Sequence, residues 1–109
     1  MARTVRWAEA AIRDLAEAAE FIARDSPFYA KALVREARTA ARSLRSLAER
    51  GRIVPEARSS QVREIFVKSY RIIYWINPNV VTVIAFVHGA RDLGRLFERR
   101  GGVHDPNEH

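Results

Sequence analysis

Residues 63–88 read REIFVKSYRIIYWINPNVVTVIAFVH: three runs of strand-forming residues separated by two short polar breaks. REIFVK (63–68) reads as a strand, with Ile65, Phe66 and Val67 between charged residues. RIIYWI (71–76) is β-branched and aromatic, and VVTVIAFVH (80–88) is almost continuously apolar, as expected of a strand covered on both faces. Ser69-Tyr70 and Asn77-Pro78-Asn79 are short enough to be hairpin turns, so the three runs predict an antiparallel meander.

Upstream the period changes. Ile12, Leu15, Ala19 and Ile22 recur at helical spacing, which predicts a helix over about 8–24. Asp25-Ser26-Pro27 then breaks the chain, with Ser26 as a cap and Pro27 at the first helical position, where a missing N–H costs nothing. Leu33, Ala37, Ala40, Leu44 and Leu47 repeat at 4-3-4-3 spacing and extend the second helix to about 49, with Gly51 as its stop. GRIVPEARSSQ (51–61) reads as a polar connection in which Pro55 argues against regular structure. RTVRW (3–7) alternates, and this N-terminal strand must join the sheet to hide its apolar side chains. Asp92–Arg100 predicts a short helix, and GGVHDPNEH (101–109) a flexible tail. The expectation is therefore one α+β domain over 1–100. Its small antiparallel sheet is made of the N-terminal strand plus the C-terminal meander, with an N-terminal helical hairpin packed on it.

The composition sets limits. Of 109 residues, 48% are apolar and 29% charged, which is globular. No run of 18 apolar residues is present, so no helical membrane span is expected. MARTVRWAEA lacks the apolar core of a signal peptide, so the expected location is the cytoplasm. Cysteine is absent, which excludes disulfides, thiolate metal sites and cysteine nucleophiles. The net charge of +6, from 17 arginines and two lysines against 13 acids, favours an acidic partner. Base composition of the genome is an equally good source of the arginines.

VRWAEAAIRDL, DSP, GRIVPE, REI, YRIIYWI and VHGARDL occur in that order across residues 5–97. Together they resemble the RelE/ParE superfamily, the toxins of bacterial type II toxin–antitoxin modules. The resemblance implies a small antiparallel sheet with a helical hairpin, and a cognate antitoxin whose C-terminal segment wraps the toxin in a hetero-oligomer. It implies one of two activities. RelE-like members cleave mRNA in the ribosomal A site with basic residues and, in many, a tyrosine or histidine. ParE-like members keep the scaffold, lack most of that set and inhibit DNA gyrase. No cofactor is implied.

Cleavage through the RNA 2′-OH needs a base, an acid and positive charge on the phosphate. By resemblance, Arg71 of YRIIY is the phosphate-binding arginine; read alone it is a surface arginine opening a strand. Arg91 matches the second family arginine, or pairs with Asp92 or Glu98. His88, with an ordinary pKa near 6.5, is an acid–base candidate. Glu56 is a candidate base or an exposed loop carboxylate, and Glu64 reads as a strand-face charge. Against a nuclease, only Arg63 and Lys68 stand where RelE-like enzymes carry lysines, and Phe97 replaces their C-terminal tyrosine. The preferred expectation is thus a ParE-like gyrase inhibitor, an enzyme only if Arg71, Arg91, His88 and Glu56 form a nuclease set. A ribosome-dependent nuclease and a degenerate, weakly toxic antitoxin binder are the alternatives. Candidate contacts for target or antitoxin are Arg63, Arg71, Trp75, His88, Arg91, Phe97, Phe21 and Phe28, the aromatics being read as partly exposed until a partner arrives.

One further feature comes from spacing alone. Lys31, Arg35, Arg38, Arg42 and Arg45 form a single basic stripe along the second helix, either a solvated face or a surface for polyanions or acidic side chains. The histidines 88, 104 and 109 are too scattered for a metal site.

Overall fold

The computed structural model describes residues 2–107. Met1, Glu108 and His109 lie outside the described residues, and with them the end of the expected tail. Strand β1 (Thr4–Trp7) leads into helices α1 (Glu9–Ala23) and α2 (Pro27–Ser43). A short 3-10 turn (Ala48–Arg50), strand β2 (Arg52–Ile53) and a second 3-10 turn (Pro55–Ala57) follow. The chain continues through β3 (Val62–Val67), β4 (Tyr70–Ile76), β5 (Val80–His88) and α3 (Leu93–Arg99). Among the described residues no helix is long and apolar enough to cross a membrane.

The sheet order is β1-β5-β4-β3-β2. The meander β3-β4-β5 is antiparallel as the three apolar runs predict. Two features differ from expectation. β1 joins parallel to β5, Thr4 to Trp7 beside Val80 to Val83, so the sheet is mixed. The connection at 51–61 is not wholly irregular, because Arg52 and Ile53 pair antiparallel with Glu64 and Arg63. Pro55 comes just after this two-residue edge strand and opens the 3-10 turn, where its missing N–H is tolerated.

The helix ends also moved. α2 stops at Ser43 rather than near 49. The Ser43 hydroxyl donates back to the Ala40 carbonyl (2.6 Å), and the N–H groups of Leu44 and Arg45 reach Ala41 and Arg42, tightening the last turn. Leu44 turns into the core while Leu47 is exposed. Gly51 has φ −78°, so it is not a left-handed stop. Glycine is required there for space: a Cβ would stand 2.2 Å from the Tyr74 hydroxyl oxygen. The loop between β3 and β4 is Lys68-Ser69, with Lys68 at φ 53° and Tyr70 already in β4.

Both faces of the sheet are covered. The α1–α2 hairpin packs on one through Ala11, Leu15, Leu33, Ala37, Ala41 and Leu44, against Ile72, Tyr74, Val81 and Val83. The buried stripe of α1 is Ala11, Leu15 and Ala18, one position off the expected Ile12 and Ala19, and Ile12 is exposed. Small side chains on that line let the helix approach β5 closely. On the second face α3 brings Leu93, Leu96 and Phe97 against Ile73, Trp75, Ala85 and Val87. Ile73 pairs with Ala85 and Tyr74 with Val83, so Ile84 is an extra residue in β5. This bulge resets the alternation, sending Phe86 to the hairpin side and Ala85 and Val87 to the α3 side. Asp14 of α1 accepts from the Phe86 N–H (3.0 Å), and Arg100 grips its two oxygens at 3.0 and 2.6 Å. Past α3, Val103 packs on the second core and Asp105 accepts from Asn77 Nδ2 (3.0 Å).

Candidate functional site

The region singled out by the sequence is the end of β5 and the turn into α3. Gly89 N–H donates to the Ser69 carbonyl (2.7 Å), which ties this turn to the β3–β4 loop. Arg91 N–H donates to the His88 carbonyl (2.9 Å) and Ala90 N–H to His88 Nδ1 (3.2 Å). With Nδ1 accepting, a neutral His88 carries its proton on Nε2. The ring is exposed and meets Tyr70 edge-on, centroids 5.5 Å apart.

Behind the turn runs a chain of charge across the second face of the sheet. Glu64 is 3% exposed, so it is not the solvent-facing strand charge expected. It shares its parity on β3 with Val62, which also faces that side. Its Oε1 accepts from Arg71 Nη1 (3.0 Å), and its Oε2 accepts from Arg52 Nε (3.0 Å) and Nη2 (2.6 Å). Arg71 Nη2 donates to the Arg91 carbonyl (2.9 Å). Arg52, Glu64, Arg71 and the Arg91 carbonyl thus connect β2, β3, β4 and the β5–α3 turn. Arg71 is buried, so it is not the surface arginine that the strand position alone suggests. An isolated buried carboxylate would cost several kcal/mol, and Arg71 is the partner that makes Glu64 tolerable.

The other candidates fall into separate places. Arg91 is exposed and, among the described residues, has no carboxylate partner; Asp92 caps α3 by accepting from Arg95 N–H (3.1 Å). His88, Arg71 and Arg91 therefore meet at one end of the sheet. Glu56 does not join them. It sits on the second 3-10 turn, in a groove facing Asp92, Arg95 and Glu98 of the α3 segment. Arg63 is half-buried and donates from Nη1 to the Glu49 and Gly51 carbonyls, which commits it to the loop before β2 rather than to a partner. Trp75 and Phe97 are buried in the second core, so they present no apolar surface. α3 covers this face of the sheet, opposite the hairpin. Phe21 and Phe28 are exposed at the tip of the hairpin, beside an exposed Tyr29.

Phe66 was missed. It alternates with buried residues along β3 yet is 59% exposed, is the cross-strand neighbour of Arg71, and lies in front of Gly89. No signal in the sequence sets Phe66 apart from its apolar neighbours Ile65 and Val67. Tyr74, in the middle of β4, is fully buried. Its hydroxyl donates to the Ala48 carbonyl (2.7 Å) and accepts from Gly51 N–H (3.0 Å). Burial raises its pKa above the usual 10.0.

Comparisons agree with this geometry. Residues 5–93 match the family described as the ParE toxin of the type II toxin–antitoxin system, parDE. The fold is similar to a chain of the chromosomal ParDE system of P. aeruginosa, with TM-score 0.65 and 15% identity over 79% of this chain and 95% of that one. It is also similar to a chain of the toxin–antitoxin complex RelBE2 of Mycobacterium tuberculosis, with TM-score 0.54 and 23% identity over 81% and 99%. No curated protein matches in sequence. The neighbours share the fold, and because the family match spans residues 5–93, the chain belongs to the ParE toxin family of type II toxin–antitoxin systems.

Proposed function

We propose that this chain inhibits bacterial growth by binding DNA gyrase in the cytoplasm, without cleaving RNA, and that a cognate antitoxin neutralises it. The observation that carries the reading is the state of Arg71. A nuclease of the RelE kind needs that guanidinium free to meet a phosphate. Here the guanidinium is buried, with Nη1 donating to Glu64 and Nη2 to the Arg91 carbonyl. The position that would offer a proton-transferring tyrosine holds Phe97, sunk in the core. Glu56 lines a groove with Asp92, Arg95 and Glu98. What remains exposed at this end suits protein contact: Phe66 as an apolar anchor, with Arg52, His88 and Arg91 around it. Aromatic anchors flanked by arginine are the groups that dominate protein interfaces.

The test follows DNA and protein synthesis separately, by labelled-precursor uptake, after induction in a bacterial host. Early loss of DNA synthesis is expected, with RNA ends unchanged by primer extension. Early loss of protein synthesis with new mRNA ends, abolished by Arg91→Ala, would replace this reading with a nuclease built on Arg91 and His88.

A further inference from the structure

We infer that the outer face of α2 docks the sugar–phosphate backbone of duplex DNA through Lys31, Arg35, Arg38, Arg42 and Arg45. The inference rests on the gyrase reading only for which duplex is met, not for the surface itself. Positions 31, 35, 38, 42 and 45 repeat at 4-3-4-3, which puts the five side chains on one side of the helix. All five are exposed, and among the described residues none has a carboxylate partner. The one acid of α2, Glu36, is taken up by Lys68 of the β3–β4 loop (3.2 Å). From Lys31 to Arg42 the stripe runs roughly 16 Å at the helical rise. Arg45 extends it past the last turn toward Arg3.

An uncompensated stripe of this kind, on a chain of net charge +6, draws in an anion. Four of its five members are arginines, whose planar fork holds a phosphate through two donors. The stripe borders an open groove of about 740 Å³ floored by Ala19, Ala23, Ala30 and Val34. These small apolar side chains suit the carbon face of a deoxyribose. They offer neither donor nor acceptor to the 2′-hydroxyl by which a protein tells RNA from DNA. No aromatic side chain lines the groove to stack an unpaired base, which sets single strands aside. No bulky apolar side chain lines it to enter a bilayer, which sets a lipid surface aside. Glu20 on the α1 wall repels a phosphate and turns the backbone toward α2.

A duplex carries one charge per about 1.7 Å of its axis, so every cation of the stripe finds a phosphate within reach. Phosphate contacts of this type carry no sequence information, and the binding is independent of sequence. On a gyrase inhibitor the surface adds a hold on the DNA that the enzyme works on. Two contacts on one chain then reinforce each other.

The test uses the purified full chain and a fluorescent DNA duplex of about two helical turns, without gyrase. Anisotropy should show saturable binding that two unrelated sequences share. With about 0.9 counterions released per phosphate, five contacts make each doubling of salt weaken binding about 20-fold. Arg35→Gln with Arg38→Gln and Arg42→Gln should cut that factor to about three- to fourfold and weaken binding about tenfold or more at low salt. Arg58→Gln with Arg95→Gln and Arg99→Gln removes the same charge from exposed positions elsewhere and should change affinity far less. Circular dichroism checks that both triple variants fold. Absence of saturable binding, or equal loss in the two triple variants, would overturn the proposal. So would tighter binding to an RNA duplex of the same sequence, or binding to anionic phospholipid vesicles but not to DNA. DNA binding is measured without gyrase, so its failure leaves the gyrase reading standing. Failure to inhibit supercoiling would likewise leave a measured DNA contact standing.

Discussion

Replacing Arg71 by methionine, which keeps most of the side-chain volume, removes the charge that Glu64 needs. Breaking a buried pair from one side costs about 3–5 kcal/mol, because the surviving ion is left in low dielectric. Here the lower end applies. Arg52 still donates two hydrogen bonds to Glu64 Oε2, although its side chain is 71% exposed and so water-screened. Loss of the hydrogen bond to the Arg91 carbonyl adds about 1 kcal/mol. For a domain of this size, a loss of about 3–4 kcal/mol lowers Tm by roughly 12–20 °C. Replacing both partners, Glu64→Leu with Arg71→Met, removes the buried charge altogether and should recover most of that loss. Urea unfolding of the two single variants, the double variant and the wild type closes the cycle. A coupling energy below about 0.5 kcal/mol would show that no buried pair exists. Growth inhibition adds a second readout. If Arg71 acts only through the stability of the fold, toxicity should follow stability and return in the double variant. A stably folded double variant with no toxicity would make Arg71 a chemical participant and refute the reasoning.

Further expectations concern the core, the latch and the exposed end. Gly51→Ala should destabilise by about 3 kcal/mol, since the new Cβ meets the Tyr74 hydroxyl oxygen at 2.2 Å and the Glu64 carbonyl at 2.7 Å; adding Tyr74→Phe should relieve part of this in a thermal melt. Tyr74→Phe alone should cost about 1–3 kcal/mol, because the Ala48 carbonyl and Gly51 N–H lose their partner. The pH profile should change too. Burial raises the Tyr74 pKa, so its neutral form stabilises the fold fully below about pH 10, and that contribution is lost as pH rises toward the folded value; the phenylalanine variant should show a shallower alkaline fall. Asp14→Ala frees Arg100 and uncovers the Phe86 N–H, so amide exchange should accelerate at Phe86 before the rest of β5. Arg91→Ala should leave the unfolding free energy within about 0.5 kcal/mol of wild type, since among the described residues the exposed guanidinium has no carboxylate partner, yet weaken growth inhibition.

The legible part of this fold is the part written in periodicity. Strand-forming runs at 63–68, 71–76 and 80–88 marked the meander; period 3.6 around Ser26-Pro27 marked the hairpin and its break. Pairing partners were not written there. Nothing local tells β1 to lie parallel to β5, because that follows from α1 crossing the sheet, and the Ile84 bulge follows from closing two registers at once. The α1 stripe was misplaced by one residue because hydrophobicity pointed to Ile12, whereas close packing prefers Ala11. The site was less legible than the fold. Arg71, His88 and Arg91 do gather at one end, as their motifs suggested. Yet charged residues in strands read as solvent-facing, so the Glu64–Arg71 pair was invisible, and Trp75 and Phe97 read as exposed because α3 had been given no face to cover.

The most direct measurement of the central claim is a supercoiling titration, in which purified chain at increasing excess is added to DNA gyrase and relaxed plasmid. The account predicts dose-dependent loss of supercoiling, weakened by Arg91→Ala and by Phe66→Ala in folded protein. Full supercoiling at the highest excess, with toxicity intact in cells, would contradict it.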